Sequence, residues 1–459
     1  MTYAKTFGVL VAAVALLTAG MASAEPAAEG TPTFSKDVAP ILFDNCVVCH
    51  RPGEVAPMSL VSYQDARPWS RAIKEKVVTR EMPPWHADRR FGKFINDRSL
   101  SQEEIDTIVA WADGGAVKGN DADLPPVPEF SNGWASNVDP DYVLEMPVEY
   151  QIKADGEIEY LNWYSAIPFE EDFFFDAIEM RPGNRSTVHH SGAFLVNLPE
   201  ATKIVEGHLY NADGSPMTND DLEGAGVTPG TSKLVSYVPG RGYEAYRGSV
   251  AKRLPANAFI EWVVHYNTTG RPEADRSVLG FWEKKGLITH EVSNSLGTLG
   301  PSSYIVNDLE LQRSDRGSGR DLPVIPPFEP DWGVTSVTAI TNDVTILGVT
   351  PHFHLRGKAM TYVLTYPDGD DEILLHVPNY DFNWQHYYDL QEPKKVPAGS
   401  KLTIVTTFDN SLRNRYNPAP DKEVYWGEQS WDEMYNPQVR VTVDKYDLTK
   451  MKRDKTEEN

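Results

Sequence analysis

Phe259-Ile260-Glu261-Trp262-Val263-Val264-His265-Tyr266 is a run of aromatic and β-branched residues with no glycine or proline, the composition of a strand. Similar runs lie on both sides of it: Phe173 to Ile178, Ala193 to Val196, Val344 to Val349, Leu402 to Phe408 and Val439 to Val443. Clusters of Gly, Pro, Asn and Asp separate them. Many short strands at this spacing predict β-sandwiches. The proline-rich stretch Leu322 to Pro330 divides the region into halves, residues 136–321 and 331–447. Asp213 to Gly230, polar and glycine-rich, reads as an inserted surface loop.

Upstream the character changes. Residues 31–123 read as helical, with Ser35 capping a first helix through Val38, Ile41 and Leu42. Trp69, Ile73 and Val77 recur at a spacing of four, one helical face. Ser101 and Glu104 form a capping box ahead of Ile105, Ile108 and Ala112, and Gly114-Gly115 ends that helix. Residues 124–135, opening on Leu124-Pro125-Pro126-Val127-Pro128, read as a linker. At the start, Lys5 precedes an apolar run from Phe7 to Met21, and Ala22-Ser23-Ala24 is a small-residue cleavage site. Residues 1–24 therefore read as a signal peptide, with the mature start near Glu25 and a periplasmic or secreted product.

The net charge of −23 argues against nucleic acid, whose phosphates call for a basic surface. The charge is uneven: between Arg51 and Arg98 there are 10 basic against 6 acidic side chains, while residues 124–459 carry 30 against 50. This predicts electrostatic docking of the helical segment on the acidic remainder, weakened by salt.

The chain has two cysteines, both in Cys46-Val47-Val48-Cys49-His50. Two thiols at this spacing can each add to a haem vinyl group, and the next residue then presents its imidazole to the iron. A redox pair or half a zinc site is the competing reading; the adjacent His50, the export signal and the lack of other cysteines favour haem c. For the sixth ligand the sequence offers Met82, in Arg80-Glu81-Met82-Pro83-Pro84-Trp85, ahead of Met58 and His86. Met/His ligation is the usual cytochrome c arrangement.

Five further histidines fall in settings that metal sites favour: His189-His190, His265, and His352-Phe353-His354. On a strand, residues two apart share a face, so His352 and His354 could grip one ion. Adjacent His189 and His190 would point oppositely on a regular strand, so joint ligation needs a bulge or a strand end. A lone strand histidine is more often core or surface; the ordered set, closing on Met434 in Trp431-Asp432-Glu433-Met434-Tyr435-Asn436, is what stands out.

That order resembles the copper type II, ascorbate-dependent monooxygenases, the family of peptidylglycine α-hydroxylating and dopamine β-monooxygenases, over about residues 136–447. The resemblance implies an electron-relay copper on His189, His190 and His265. It implies an oxygen-reacting copper on His352, His354 and Met434, the catalytic set. The departures concern the substrate: Thr350 stands where peptide-amidating members carry an arginine, Gln438 where they carry a tyrosine, and their disulfides are missing. The fold expected is multidomain: a small all-α class I cytochrome c domain, then two all-β, jelly-roll-like β-sandwich domains. The function expected is O2-dependent hydroxylation of an unidentified small organic substrate, with an external donor feeding the haem and no membrane span in the mature chain. The rivals are a haem and copper electron-transfer or copper-binding protein that performs no oxygenation, and a cytochrome subunit with a β-rich docking module. His208, His290, His376 and His386 read as surface or satisfied core residues.

Overall fold

A computed structural model describes residues 30–450, except 55, 131–132, 137, 228–231, 240, 307–308, 312–323 and 428. The expected signal peptide lies outside the described residues.

The helical segment has a small core of its own. Phe34, Leu42, Ile73, Val77, Ile108 and Trp111 meet among the helices Phe34–Val38, Ala39–Asn45, Ser70–Val78 and Gln102–Asp113. The last opens on a full capping box. Ser101 Oγ accepts from the Glu104 N–H at 3.1 Å, and the Ser101 N–H donates to Glu104 Oε2 at 2.7 Å. Gly114 follows its last turn, and Gly115 takes φ +89°, a left-handed conformation that glycine adopts without steric cost. Ser35 does not cap: it is buried inside the first turn, where the Asp37 carboxylate accepts the Thr33 N–H at 2.7 Å instead. Ile73 and Val77 face the core, but Trp69 at the same spacing is 45% exposed.

Four larger sheets make the rest. A six-stranded sheet has Phe173–Arg181 between Val278–Glu283 and Val250–Leu254. A four-stranded sheet runs Leu161–Ala166, Phe259–Tyr266, Val188–Val196, Ser232–Tyr237. A second six-stranded sheet holds Trp332–Ala339, Lys401–Phe408 and Gly357–Thr365, and a three-stranded sheet holds Tyr388–Val396, Val344–Thr350 and Gln438–Val443. Ile260, Trp262 and Val264 share one core with Phe175, Ile178 and Phe281; Met360, Tyr362, Ile404 and Val441 share another.

The expected all-α cytochrome c domain followed by two β-sandwich domains is corrected by this architecture. The chain is mostly β, 35% strand against 14% helix, in a four-blade, propeller-like arrangement. The helices are short, the longest described being 12 residues, and the segment between Ser70–Val78 and Gln102–Asp113 is built into the β body. Trp85 and Ala87 are core residues of the second half. The Asp88 N–H donates to the His376 carbonyl at 2.8 Å, the Ile95 N–H to the Asp389 carbonyl at 3.0 Å, and Phe94 bridges Leu390. The halves are also joined to each other. Ser293 and Val441 exchange backbone bonds at 2.9 and 2.8 Å, and buried Arg440 pairs with Glu244 at 2.7 Å and with Asp389 at 2.6 Å. Ser302–Val306 pairs with Trp332–Ala339, so the boundary expected at 321 falls inside one sheet. The insertion is not all surface loop either: it contains the helix Asn219–Gly224, whose Leu222 packs with Tyr164 and Leu209.

Charge steering of the helical segment finds little support in these contacts, which are backbone pairs and aromatic packing. One ion pair across the junction, Arg185 with Glu54, has its acid on the helical side. Among the described residues no helix is long and apolar enough to cross a membrane.

Candidate metal centre

The bulge demanded by His189-His190 is present. Along the pair of strands Val188–Val196 and Phe259–Tyr266, Val264 faces Ser191 and His265 faces His190, but Tyr266 faces Val188. His189 is the extra residue. A bulge bends its strand and re-aims a side chain, and here it turns His189 to the same side as its neighbour. The His189 and His190 rings stack at 3.9 Å between centroids, and His265 lies 5.5 and 6.2 Å from them. One ligand atom from each of the three lies within 4.8 Å of the others.

The surroundings prepare these imidazoles to bind. His189 Nδ1, His265 Nδ1 and His190 Nε2 are buried with no hydrogen-bond partner. Burial keeps all three rings neutral: it lowers the His189 pKa, drives that of His190 well below its usual value, and takes that of His265 to about 4. Tyr160 stacks on His265 at 4.7 Å, and the Asn383 side chain hydrogen-bonds His189. Neutral imidazoles converging with free lone pairs suit copper in either oxidation state and also zinc.

His352 and His354 do not sit on a strand. They follow the end of Val344–Thr350 in irregular chain, their rings 5.5 Å apart and 87° to one another. The Met434 loop holds them. The His354 N–H donates to Glu433 Oε2 at 2.9 Å, and His354 Nδ1 donates to the Asp432 carbonyl at 3.3 Å. The Asn436 N–H donates to the His352 carbonyl at 3.2 Å. Half-buried Met434 is thus carried on a loop pinned to both histidines, its own N–H on Glu433 Oε2 at 3.0 Å. A carbonyl oxygen can only accept, so the proton of His354 is on Nδ1 and Nε2 keeps its lone pair for a metal. Burial lowers the His352 pKa to about 3 and that of His354 to about 4. Glu433, fully buried on three backbone N–H groups, is pushed up to about 7 by the same burial.

The two histidine sets are neighbours. Gln385 Oε1 accepts from His352 Nδ1 at 2.7 Å, and Gln385 Nε2 lies 3.4 Å from His190 Nδ1, a long contact. Phe382 stands between them, 5.1 Å from the His190 ring and 5.7 Å from the His354 ring. Sequence reasoning missed Gln385. Glutamine carries no metal-site signal by itself, and the cue available was its place beside His386.

In the helical segment, Cys46 and Cys49 are both free thiols. His50 Nδ1 donates to the Met58 carbonyl at 3.2 Å, which leaves Nε2 as the lone pair, and burial lowers the His50 pKa. Beside the motif a cleft of about 460 Å³ opens toward the β body, lined by Val48, Arg51, Trp85, Arg98, Arg241 and His386. Free thiols beside an oriented imidazole fit covalent haem attachment, but Cys46, Cys49 and His50 do not line this cleft, and its arginines Arg51 and Arg241 are paired with Glu54 and Asp389. Met82 is half-buried, its N–H on the Lys76 carbonyl at 3.1 Å, and does not line this cleft. Met58 packs against the helical core. His86 is half-buried, its ring 6.0 Å from that of His386.

His376 Nδ1 meets Thr361 Oγ1 at 2.8 Å, His290 Nε2 donates to the Asp444 carbonyl at 3.2 Å, and His208 is exposed, as a bland reading expects. His386 departs from it: it is buried and its Nε2 has no partner.

No protein-family profile matches the chain. No curated protein matches it. Among solved structures, PNGF-II is similar at 9% identity and a TM-score of 0.23, over 66% of this chain and 65% of that one. An allantoicase is similar at 11% and 0.17, over 63% and 80%. A Paenibacillus xanthan lyase is similar at 9% and 0.15, over 72% and 29%. The chain spans just under two thirds of the first of these and less than a third of the last. Likenesses this slight carry no functional argument.

Proposed function

We propose that this chain is an exported haem- and copper-dependent monooxygenase. His189, His190 and His265 would hold one copper, and His352, His354 and Met434 a second, catalytic one. Cys46, Cys49 and His50 would hold one haem c. The observation that carries the reading is the bulge at His189, which converges three neutral imidazoles, each with one unpartnered nitrogen, a single glutamine away from His352. The order of ligands along the chain, as in copper type II monooxygenases, supports it. Free Cys46 and Cys49 support the haem. Burial pushes the Cys46 thiol up to about 12, whereas a working redox pair needs a depressed thiol.

When bound, copper supplies one-electron storage and, with a soft thioether ligand, a cuprous state suited to O2. The overall balance is R–H + O2 + 2 electrons + 2 protons giving R–OH + H2O, with the electrons entering singly from an external donor. The chain's own residues orient and shield. Asp432 and Gln385 hold His354 and His352 by Nδ1, and Phe382 and Tyr160 exclude water. The substrate is a small organic molecule. With Thr350 buried and its carbonyl taken by Tyr362 OH at 2.8 Å, a grip on a peptide carboxylate at that position is not part of the proposal.

Metal analysis of the exported protein tests this, read with oxygen uptake over a substrate panel. Expected are one covalent haem, two coppers and substrate-dependent uptake. Met434→Ile should change stability by under about 1.5 kcal/mol. It should remove the copper–sulfur path seen by X-ray absorption and abolish oxygen uptake, leaving the other copper in place. Iron without copper after reducing reconstitution would overturn the copper half; both metals without oxygen uptake would leave an electron carrier.

A further inference from the structure

We propose that Asp381 is a positioning residue for the histidines of both metal sets, acting through the loop 380–385. This rests on the copper reading above and deepens it. The loop joins Asp371–Val377 to Tyr388–Val396, strands of the second half. Yet it reaches both sets. Gln385 meets His352 at 2.7 Å and His190 at 3.4 Å. Phe382 packs on the His190 and His354 rings at 5.1 and 5.7 Å. Tyr380 OH accepts the Phe353 N–H at 3.4 Å and donates to the Phe353 carbonyl at 3.1 Å, which holds the residue between His352 and His354. The first set, whose three ligands lie in the first half, is thus finished by a loop of the second.

Asp381 shapes this loop. Its Oδ1 accepts both the Asn383 backbone N–H and the Asn383 Nδ2–H, each at 2.9 Å, and its carbonyl accepts the Trp384 N–H at 3.0 Å. With Nδ2 taken by Asp381, the Asn383 amide turns its oxygen to His189, to which its side chain is bonded. An amide oxygen can only accept, so it takes a ring proton of His189. His189 Nδ1 has no partner. The proton is therefore on Nε2, and Nδ1 keeps its lone pair for a metal. The strand ladder places the backbones of His189 and His190, but it does not choose the tautomer or the ring direction; Asn383 and Gln385 do. Asp381 is not among the groups that converge on the site, and it acts by holding the residues that hold the ligands.

The full chain, exported and loaded with copper under reducing conditions, gives the test. Copper affinity is read by competitive chelator titration, cupric geometry by electron paramagnetic resonance, and folding of the metal-free chain by circular dichroism. Asp381→Ala should keep the circular dichroism of wild type. It should bind copper roughly 10–100-fold more weakly at the His189 set, and to a smaller degree at the His352 set, with a changed cupric hyperfine splitting. Asp381→Asn, which keeps an oxygen at Oδ1, should recover most of the affinity. Asn383→Leu should reproduce the loss at the His189 set alone, and the double variant with Asp381→Ala should be no weaker there, because both act on one path. Unchanged affinity and spectrum in Asp381→Ala would overturn the proposal. So would an Asp381→Asn variant as weak as Asp381→Ala, since charge and not position would then be at work. If Asp381→Ala does not fold, Asn383→Leu carries the same decision at the His189 set. A wild type that takes no copper would sink the copper reading instead; zinc, which also accepts imidazole, then reads the same order of variants, and binding of neither metal overturns both.

Discussion

The two histidine sets are built differently. His189 and His190 come from the start of one strand and His265 from the end of its partner, and the ladder itself sets their spacing. His352 and His354 lie beyond a strand end, and a loop from far along the chain sets theirs through Asp432, Glu433 and Asn436. The first set is preassembled by backbone pairing. The second depends on side-chain and loop contacts that can give. A storage site gains from rigidity, while a site that must admit O2 and substrate needs an open position and a ligand shell able to shift.

The largest effect expected is from breaking the rigid set. His190→Ala should cost one equivalent of copper and all substrate-dependent oxygen uptake, while His352 and His354 keep theirs; elemental analysis and spectroscopy of the remaining copper check this. Next comes Gln385→Leu, which leaves every ligand in place. It should weaken copper at the His352 set by roughly 10–100-fold and affect the His189 set less, since the contacts are 2.7 and 3.4 Å. Equal weakening in a competitive chelator titration would mean that the sets are one unit.

Acid gives a third, smaller handle. Burial lowers the pKa of His352 to about 3 and of His265 and His354 to about 4, against an ordinary value near 6.5. Between these values the unfolded chain binds protons that the folded metal-free chain does not. Stability is therefore full above about pH 6.5 and falls as pH drops toward 4. Denaturant titrations of metal-free protein should show this loss, with bound copper opposing it. The smallest effect is expected from His376→Ala, which removes one half-buried hydrogen bond to Thr361 worth about 1 kcal/mol and should leave both metal contents unchanged.

Short-range patterns were legible in the sequence. The Ser101–Glu104 box, the glycine stop after Asp113 and the strand character of Phe259–Tyr266 all depend on a few neighbouring residues, whose local chemistry is complete in the chain. The need for a bulge at His189-His190 was legible too, because strand alternation forbids adjacent side chains one face. That His189 is the residue squeezed out was decided by pairing with Tyr266, from a strand more than seventy positions away. Gln385 and His386 gave little signal beyond their adjacency, since an amide and a lone imidazole acquire meaning only from what surrounds them. The separate domains expected from composition gave way to one joined β body for the same reason. Trp85 and Phe94 look like helix-segment residues in sequence, and only the apolar face offered by Tyr388 and Leu390 could show that they bury there. Periodicity and motif spacing are properties of the chain; burial and convergence belong to the tertiary fold, because they depend on which distant surfaces exclude water together.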